Sequence, residues 1–370
     1  MINKRVVFVL ALLSILFCGW GRTGHNIINK NSVLCFPSEM NSFKDWQAYL
    51  ADHASDADNR KSQDPNESPK HFIDIDSYPE FVSNGVITQN FDSLVFQHGY
   101  STVIDNGILP WAIIASVDSL TQQFERKDWN KAKQTASDLG HYVADSHMPL
   151  HIAKNYNGQY TNQYGVHSRY ESDMVSRFES QIIYSPDTAV YISNIPDFVF
   201  STIYYNYKYV DSVLYADKTA SSEANSTSSD VYYNELWKLS GNFTIKLFKS
   251  ASVKTASLIY TAWINAGKPL QNSTNIKSKS NYLQKFKLYQ NYPNPFNPLT
   301  AISFDMPDKS YVNLRVYNIV GQEIITLVDA VKQAGHYQEY FNASELPSGI
   351  YIYKITAGKF ASSRKMILIK

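Results

Sequence analysis

The sequence predicts a mainly α-helical domain followed by a small all-β, Ig-like sandwich. Three observations carry this reading. Apolar residues recur at helical spacing through the first two thirds of the chain, as with Ala132, Ala136, Leu139 and Val143 in "DWNKAKQTASDLGHYVADSH". A polar stretch poor in apolar residues, "KPLQNSTNIKSKSN" (Lys268–Asn281), then reads as a linker. Beyond it "AISFDM", "VNLRVYNI", "YQEYF" and "GIYIYKI" alternate apolar and polar residues, with "NIVGQE" and "LPSG" as turn signals.

The chain opens with "MINKR", a short basic start, and "VVFVLALLSILF", an apolar run too short for a typical membrane span. Small residues follow at Cys18 and Gly19, so residues 1–19 read as a secretion signal. Phe17 suits neither lipoprotein processing nor ordinary cleavage after Gly19, which leaves the cut site open. Residues 20–267 form the expected helical domain. Its last long helix ends near Gly267, just before Pro269. Within it "KTASSEANSTSSD" (Lys218–Asp230) reads as a polar loop or lid. Residues 268–287 are the linker and 288–370 the sandwich.

Composition narrows the function classes. The 370 residues carry a formal net charge of +1, which argues against bulk electrostatic capture of nucleic acid. The only cysteines are Cys18 and Cys35. Once Cys18 leaves with the signal, Cys35 has no partner within the chain. An exported protein without a disulfide needs a good core or a bound metal.

Three of the nine histidines fall in "LGHYVADSHMPLH". His141 and Asp145 are four apart and project from one helix face. Alone, such a pair is more often a solvated face than a ligand pair. His151 follows Pro149, which stops the helix and lets the imidazole fold back. In "GVHSRYESDM", His167 and Glu171 repeat the four-residue spacing. Upstream, "HASDADNRK" and "PKHFIDID" each mix His and Asp. Imidazole and carboxylate are ligand types that zinc accepts. There are more of them than one tetrahedral ion can use, which points to a multinuclear centre that activates water against a phosphate ester.

Taken in order, "WGRTGH … HASDAD … HFIDID … GHYVADSHMPLH … GVHSRYE" resembles the zinc-dependent phospholipase C and S1/P1 nuclease superfamily, most of all its bacterial phospholipase C branch. The similarity runs from Trp20 to about Gly267. It implies an all-helical domain holding three zinc ions, and hydrolysis by metal-activated water without a protein nucleophile. By matching motif, Trp20, as the freed N-terminus, and His25 would hold one ion, with Asp145 bridging to the next. Asp58, His71, His141 and Asp145 would hold the second, and His151, His167 and Glu171 the third. Asp56 competes with Asp58, and the motif register favours Asp58. The resemblance also implies that Asp58 doubles as a general base and that Lys61, or Arg60 beside it, steadies the transition state. Phe72 and Asp74 sit where the nucleases contact a base, although Phe72 equally suits the core. The chain departs from the family at Asp56, where the nucleases have tryptophan, and in lacking their disulfides. His53, His98 and His147 match no ligand position.

The C-terminal stretch from "YQNYPNPFNPLTAISFDMP" to "SSRKMILIK" resembles the type A sorting domain of the type IX secretion system. That implies secretion or cell-surface display and engagement of that machinery, with no stable protein partner. Three functions fit the whole chain. They are a secreted phospholipase C-like phosphodiesterase, a single-strand nuclease on the same scaffold, and a surface-displayed adhesive protein with a degenerate metal site. The substrate is accordingly a phospholipid or a nucleic-acid phosphodiester.

Overall fold

Trp129–Asp145 folds as one helix, and Asp128 caps its start by accepting from the Lys131 backbone N–H. Ala132, Ala136, Leu139 and Val143 are all buried along one side, as their spacing predicts. This is a computed structural model, and it describes residues 21–271, 286–291 and 294–369. The secretion signal, Trp20 and most of the linker lie outside the described residues. The chain divides into two compact units, Met1–Thr274 and Asn275–Lys370. The first is helical and the second is built of strands, which is the expected fold class.

In the helical unit the 36-residue helix Asp230–Asn265 runs against Gly21–Leu34, Leu109–Arg126 and Trp129–Asp145. Two apolar clusters fill the spaces between helices. One contains Phe43, Trp46, Phe124 and Trp263; the other contains Tyr170, Tyr232, Leu236 and Phe248. Each fully buried large side chain contributes roughly 1.5–3 kcal/mol of transfer free energy. The polar side of Trp129–Asp145 is not a solvated face, because His141 and Asp145 are fully buried as well. Gly21–Leu34 covers that region. Its Asn29 donates to the carbonyls of Leu50 and Ser137, both at 3.1 Å, and a Cβ at Gly140 would run into the Asn29 amide oxygen. Among the described residues no helix is long and apolar enough to cross a membrane.

One expected loop is mostly helix. Tyr209–Ala224 continues through Lys218, and only residues 225–229 connect it to the long helix. Burial of Val213, Ala216 and Ala220 on one side overrides the polar composition. Asn225 ends the helix in the left-handed region, at φ 48°. Ser229 then caps the next helix by accepting from the Tyr232 N–H.

Among the described residues the second unit has seven strands: β1 (Lys287–Leu288), β2 (Leu299–Met306), β3 (Ser310–Asn318), β4 (Glu323–Lys332), β5 (Gly335–Asn342), β6 (Gly349–Ala357) and β7 (Phe360–Leu368). They form two antiparallel sheets, ordered β1-β2-β5 and β4-β3-β6-β7. Val312, Leu314 and Val316 of β3 alternate inward and meet Tyr353 and Ile355 of β6 in the core. β1, β4 and β7 add to the four strands that alternation marks out.

Candidate metal centre

Local structure brings distant ligands together. The helix Trp129–Asp145 presents His141 and Asp145 one turn apart, then ends. A 3-10 turn, Pro149–His151, returns His151. His25 comes from Gly21–Leu34, Asp58 from the short helix Asp56–Arg60, and His71 from the end of the 3-10 turn Ser68–His71. His167 lies in Val166–Ser168, and Glu171 in the π-helical turn Arg169–Met174 that follows. Such π turns widen a helix locally and often mark functional sites.

Three buried groups result: His25, His141 and Asp145; Asp58, His71 and His141; and His151, His167 and Glu171. Within each, the ligand-type atoms lie within 4.8 Å of one another. His141 belongs to two groups. Asp145 Oδ2 is 3.1 Å from His71 Nδ1 and 3.3 Å from His141 Nε2. Its Oδ1 is 3.6 Å from His25 Nε2 and 3.4 Å from His151 Nδ1. Glu171 Oε2 is 3.1 Å from His167 Nε2 and 3.3 Å from His151 Nε2. All these expected ligands except Trp20, which lies outside the described residues, are thus brought to one region.

The imidazoles are fixed from behind. His141 Nδ1 donates to the Ala54 carbonyl at 2.7 Å, His151 Nδ1 to that of His71 at 2.7 Å, and His167 Nδ1 to that of Tyr156 at 3.0 Å. In the neutral rings this leaves each Nε2 as a lone pair. The lone pairs converge, with His151 and His167 Nε2 only 3.2 Å apart. Two lone pairs so close repel unless a proton or a cation sits between them. A tetrahedral zinc with bonds of about 2.05 Å spaces its ligand atoms by about 3.3 Å. Both ring nitrogens of His25, Asp58 Oδ2, Asp145 Oδ1 and Glu171 Oε2 are buried with no hydrogen-bond partner. The donor set and its orphaned atoms therefore fit divalent metal.

The electrostatics of the metal-free cluster agree. Burial pulls His141 down, but Asp145 and Asp58 outweigh it and hold the imidazolium up at about 10. Burial and the neighbouring His141 push His25 down to about 3. Burial raises Asp58, yet His141 and Lys61 leave it well below the carboxylate range, and Asp145 is lowered in the same way by His141 and His151. Lys61 Nζ lies 2.6 Å from Asp58 Oδ1. Arg60 instead reaches Asp138 at 3.0 Å and Glu67 at 3.3 Å, so Lys61 is the cation at the cluster.

The remaining candidates separate. Asp56 pairs with His53 at 2.7 Å on the surface, which leaves Asp58 at the cluster. His98 pairs with Glu80. His147 is buried, with Nδ1 donating to Val143 O and Nε2 3.1 Å from Ser250 Oγ. Phe72 and Asp74 are half-buried. Burial and nearby Asp76 push Asp74 up to about 7, against His151 and Lys154. The sequence did not single out Glu67. It is buried beneath His71, with its Oε1 3.6 Å from His71 Nε2, and it accepts from Lys70 and the Tyr142 hydroxyl. Its one signal was the four-residue spacing to His71.

Residues 290–370 match the family model of the secretion system C-terminal sorting domain. β2 to β7 all fall inside this sorting module, which implies secretion or surface display and contact with a secretion machinery. No curated protein matches the chain. Solved structures similar to it include two toxins. The alpha toxin from Clostridium absonum is 11% identical, with a TM-score of 0.42, 95% of this chain covered and 98% of the toxin. The Clostridium perfringens alpha-toxin isolated from avian strain SWCP is 9% identical, with a TM-score of 0.44 and the same coverage of 95% and 98%.

Proposed function

We propose that the chain is an exported zinc-dependent hydrolase of phosphate esters, acting on phospholipid in the manner of a phospholipase C. The observation that carries this reading is the set of three buried His/carboxylate groups with converging, partnerless ligand atoms. Trp20, His25 and Asp145 would hold one ion, Asp58, His71, His141 and Asp145 a second, and His151, His167 and Glu171 a third. Bound zinc would supply Lewis acidity and lower the pKa of a coordinated water to about 7.

The chain's own residues then do specific work. The carbonyls of Ala54, His71 and Tyr156 keep the protons of His141, His151 and His167 on Nδ1, so each Nε2 stays free to ligate. Asp58 Oδ2, ionised and without a partner, is placed to accept a proton from attacking water. Lys61, beside Asp58 Oδ1, offsets negative charge growing on the phosphoryl oxygens. A second reading, a single-strand nuclease, draws on Phe72 and Asp74. A half-buried aromatic ring and a carboxyl titrating near neutrality are suited to stacking and hydrogen-bonding a base. An adhesive protein with a decayed site is the least supported, because each of the three groups keeps three buried ligand-type residues.

Metal analysis and a paired assay test the reading. The processed protein should carry zinc and convert phosphatidylcholine to diacylglycerol. Release of 5′-mononucleotides from single-stranded DNA or RNA instead would replace it with the nuclease. Folded protein that holds no zinc and hydrolyses neither substrate would overturn both.

A further inference from the structure

A cavity of about 440 Å³ with a mixed polar and aromatic lining lies in the helical unit. Tyr205, Asn206, Tyr209, Lys246, Ser250 and Lys254 line it, and none of them belongs to the metal-ligand groups. Lys208 is outside the lining but packs on two of its rings, with its ammonium 3.4 Å from the Tyr205 ring centre and 5.3 Å from that of Tyr209. The wall is braced from within. Asn206 donates to the Ser146 carbonyl at 3.0 Å, and Ser250 is held by buried His147 at 3.1 Å.

The charge here is one-sided. Other lysines on the same long helix have carboxylate partners: Lys238 with Glu235 at 2.8 Å and Lys249 with Asp187 at 3.0 Å. Among the described residues, Lys208, Lys246 and Lys254 have none. Lys254 donates to Thr202 Oγ1, at 2.6 Å, and stands over the Phe198 ring. Burial pushes it down to about 8, with Tyr205 opposing, so the fold pays for a half-buried cation that no internal anion neutralises. Lys208 and Lys246 likewise lower the Tyr205 hydroxyl.

We propose that this cavity binds the phosphate group of a small phosphomonoester. Two lining ammonium groups without a carboxylate, Lys246 and Lys254, match the charge of a dianion. The volume exceeds what one oxyanion fills, and the Tyr205 and Tyr209 rings supply a wall for an attached organic group. The inference does not rest on the metal reading and stands whether or not the cluster is catalytic.

Calorimetric titration of the full chain with inorganic phosphate and with glycerol 3-phosphate tests it. Both should bind saturably. Lys246→Ala, at an exposed position, should weaken binding about tenfold. Lys246→Ala combined with Lys254→Met should abolish binding without lowering the melting temperature. Glu171→Gln, a change confined to the metal centre, should leave this binding unchanged. Co-sedimentation with phosphatidylcholine vesicles, with and without phosphatidic acid, separates a lipid headgroup from a soluble ligand. Lysine-dependent binding in either arm supports the site. Binding that ignores the lysine substitutions, or that is lost only with Glu171→Gln, overturns it, as does no binding in any arm.

Discussion

At the scale of the residue, Asp145 is the pivot of the cluster, because its Oδ1 faces His25 while its Oδ2 faces His71 and His141. Its replacement by alanine should therefore remove more zinc per chain than His151→Ala, which touches one group, and elemental analysis of folded variants would read this directly. Equal losses would refute the sharing. The histidines also set the pH response of the chelated protein. His25 titrates near 3 when folded and near 6.5 when unfolded, so the unfolded chain takes up its proton first and stability climbs with pH across that window. His141 titrates near 10 when folded, so the stability it adds is complete below 6.5 and is lost as pH rises through about 10. Thermal unfolding of metal-free protein should accordingly peak near pH 6.5. Away from the cluster, Lys254→Met should raise stability at pH 7 by about 1–2 kcal/mol by removing a desolvated cation, a gain that urea titration would register. His141–Asp145 and His167–Glu171 were legible from four-residue spacing. His25 and Asp58 were legible only through the resemblance, since each sits alone on its own element. Glu67 and the three anchoring carbonyls left almost no trace, because a main-chain oxygen has no letter and Glu67 acts from a turn without periodicity.

At the scale of the element, the crossing of Gly21–Leu34 with Trp129–Asp145 depends on the missing side chain of Gly140. Alanine there would gain about 1 kcal/mol of helix propensity. It would also displace Asn29, whose amide joins Leu50 and Ser137. Gly140→Ala should on balance destabilise by about 1–3 kcal/mol, measured as a lower denaturant midpoint; a rise would show that the contact is slack. Tyr209–Ala224 illustrates where composition misleads. Its Ser, Thr and Asp residues read as a loop when taken one by one. The burial of Val213, Ala216 and Ala220, and of Asp217 against Arg169 at 2.7 Å, holds them in a helix. The strands were easier, since β3 and β6 alternate strictly and face each other in register. β4 was harder, because much of it is solvent-facing and its pairing with β3 is interrupted by register shifts.

At the scale of the whole molecule, each unit carries its own core, so the sorting module and the metal centre should be separable. A chain ending at residue 271 should keep its zinc and its helical circular dichroism while accumulating inside the exporting cell. Loss of zinc on truncation would tie the two units together. Chelation of the full chain should lower its melting temperature by several degrees or more, because Asp58, Asp145 and Glu171 would stay buried with their counter-charge removed. The shared carboxylate has one more consequence. A first cation at either of the two positions that would share Asp145 would fix the orientation of that carboxylate for its neighbour. Uptake at those two positions is then a paired event with a sigmoid saturation curve, and the singly filled intermediate is scarce at every concentration.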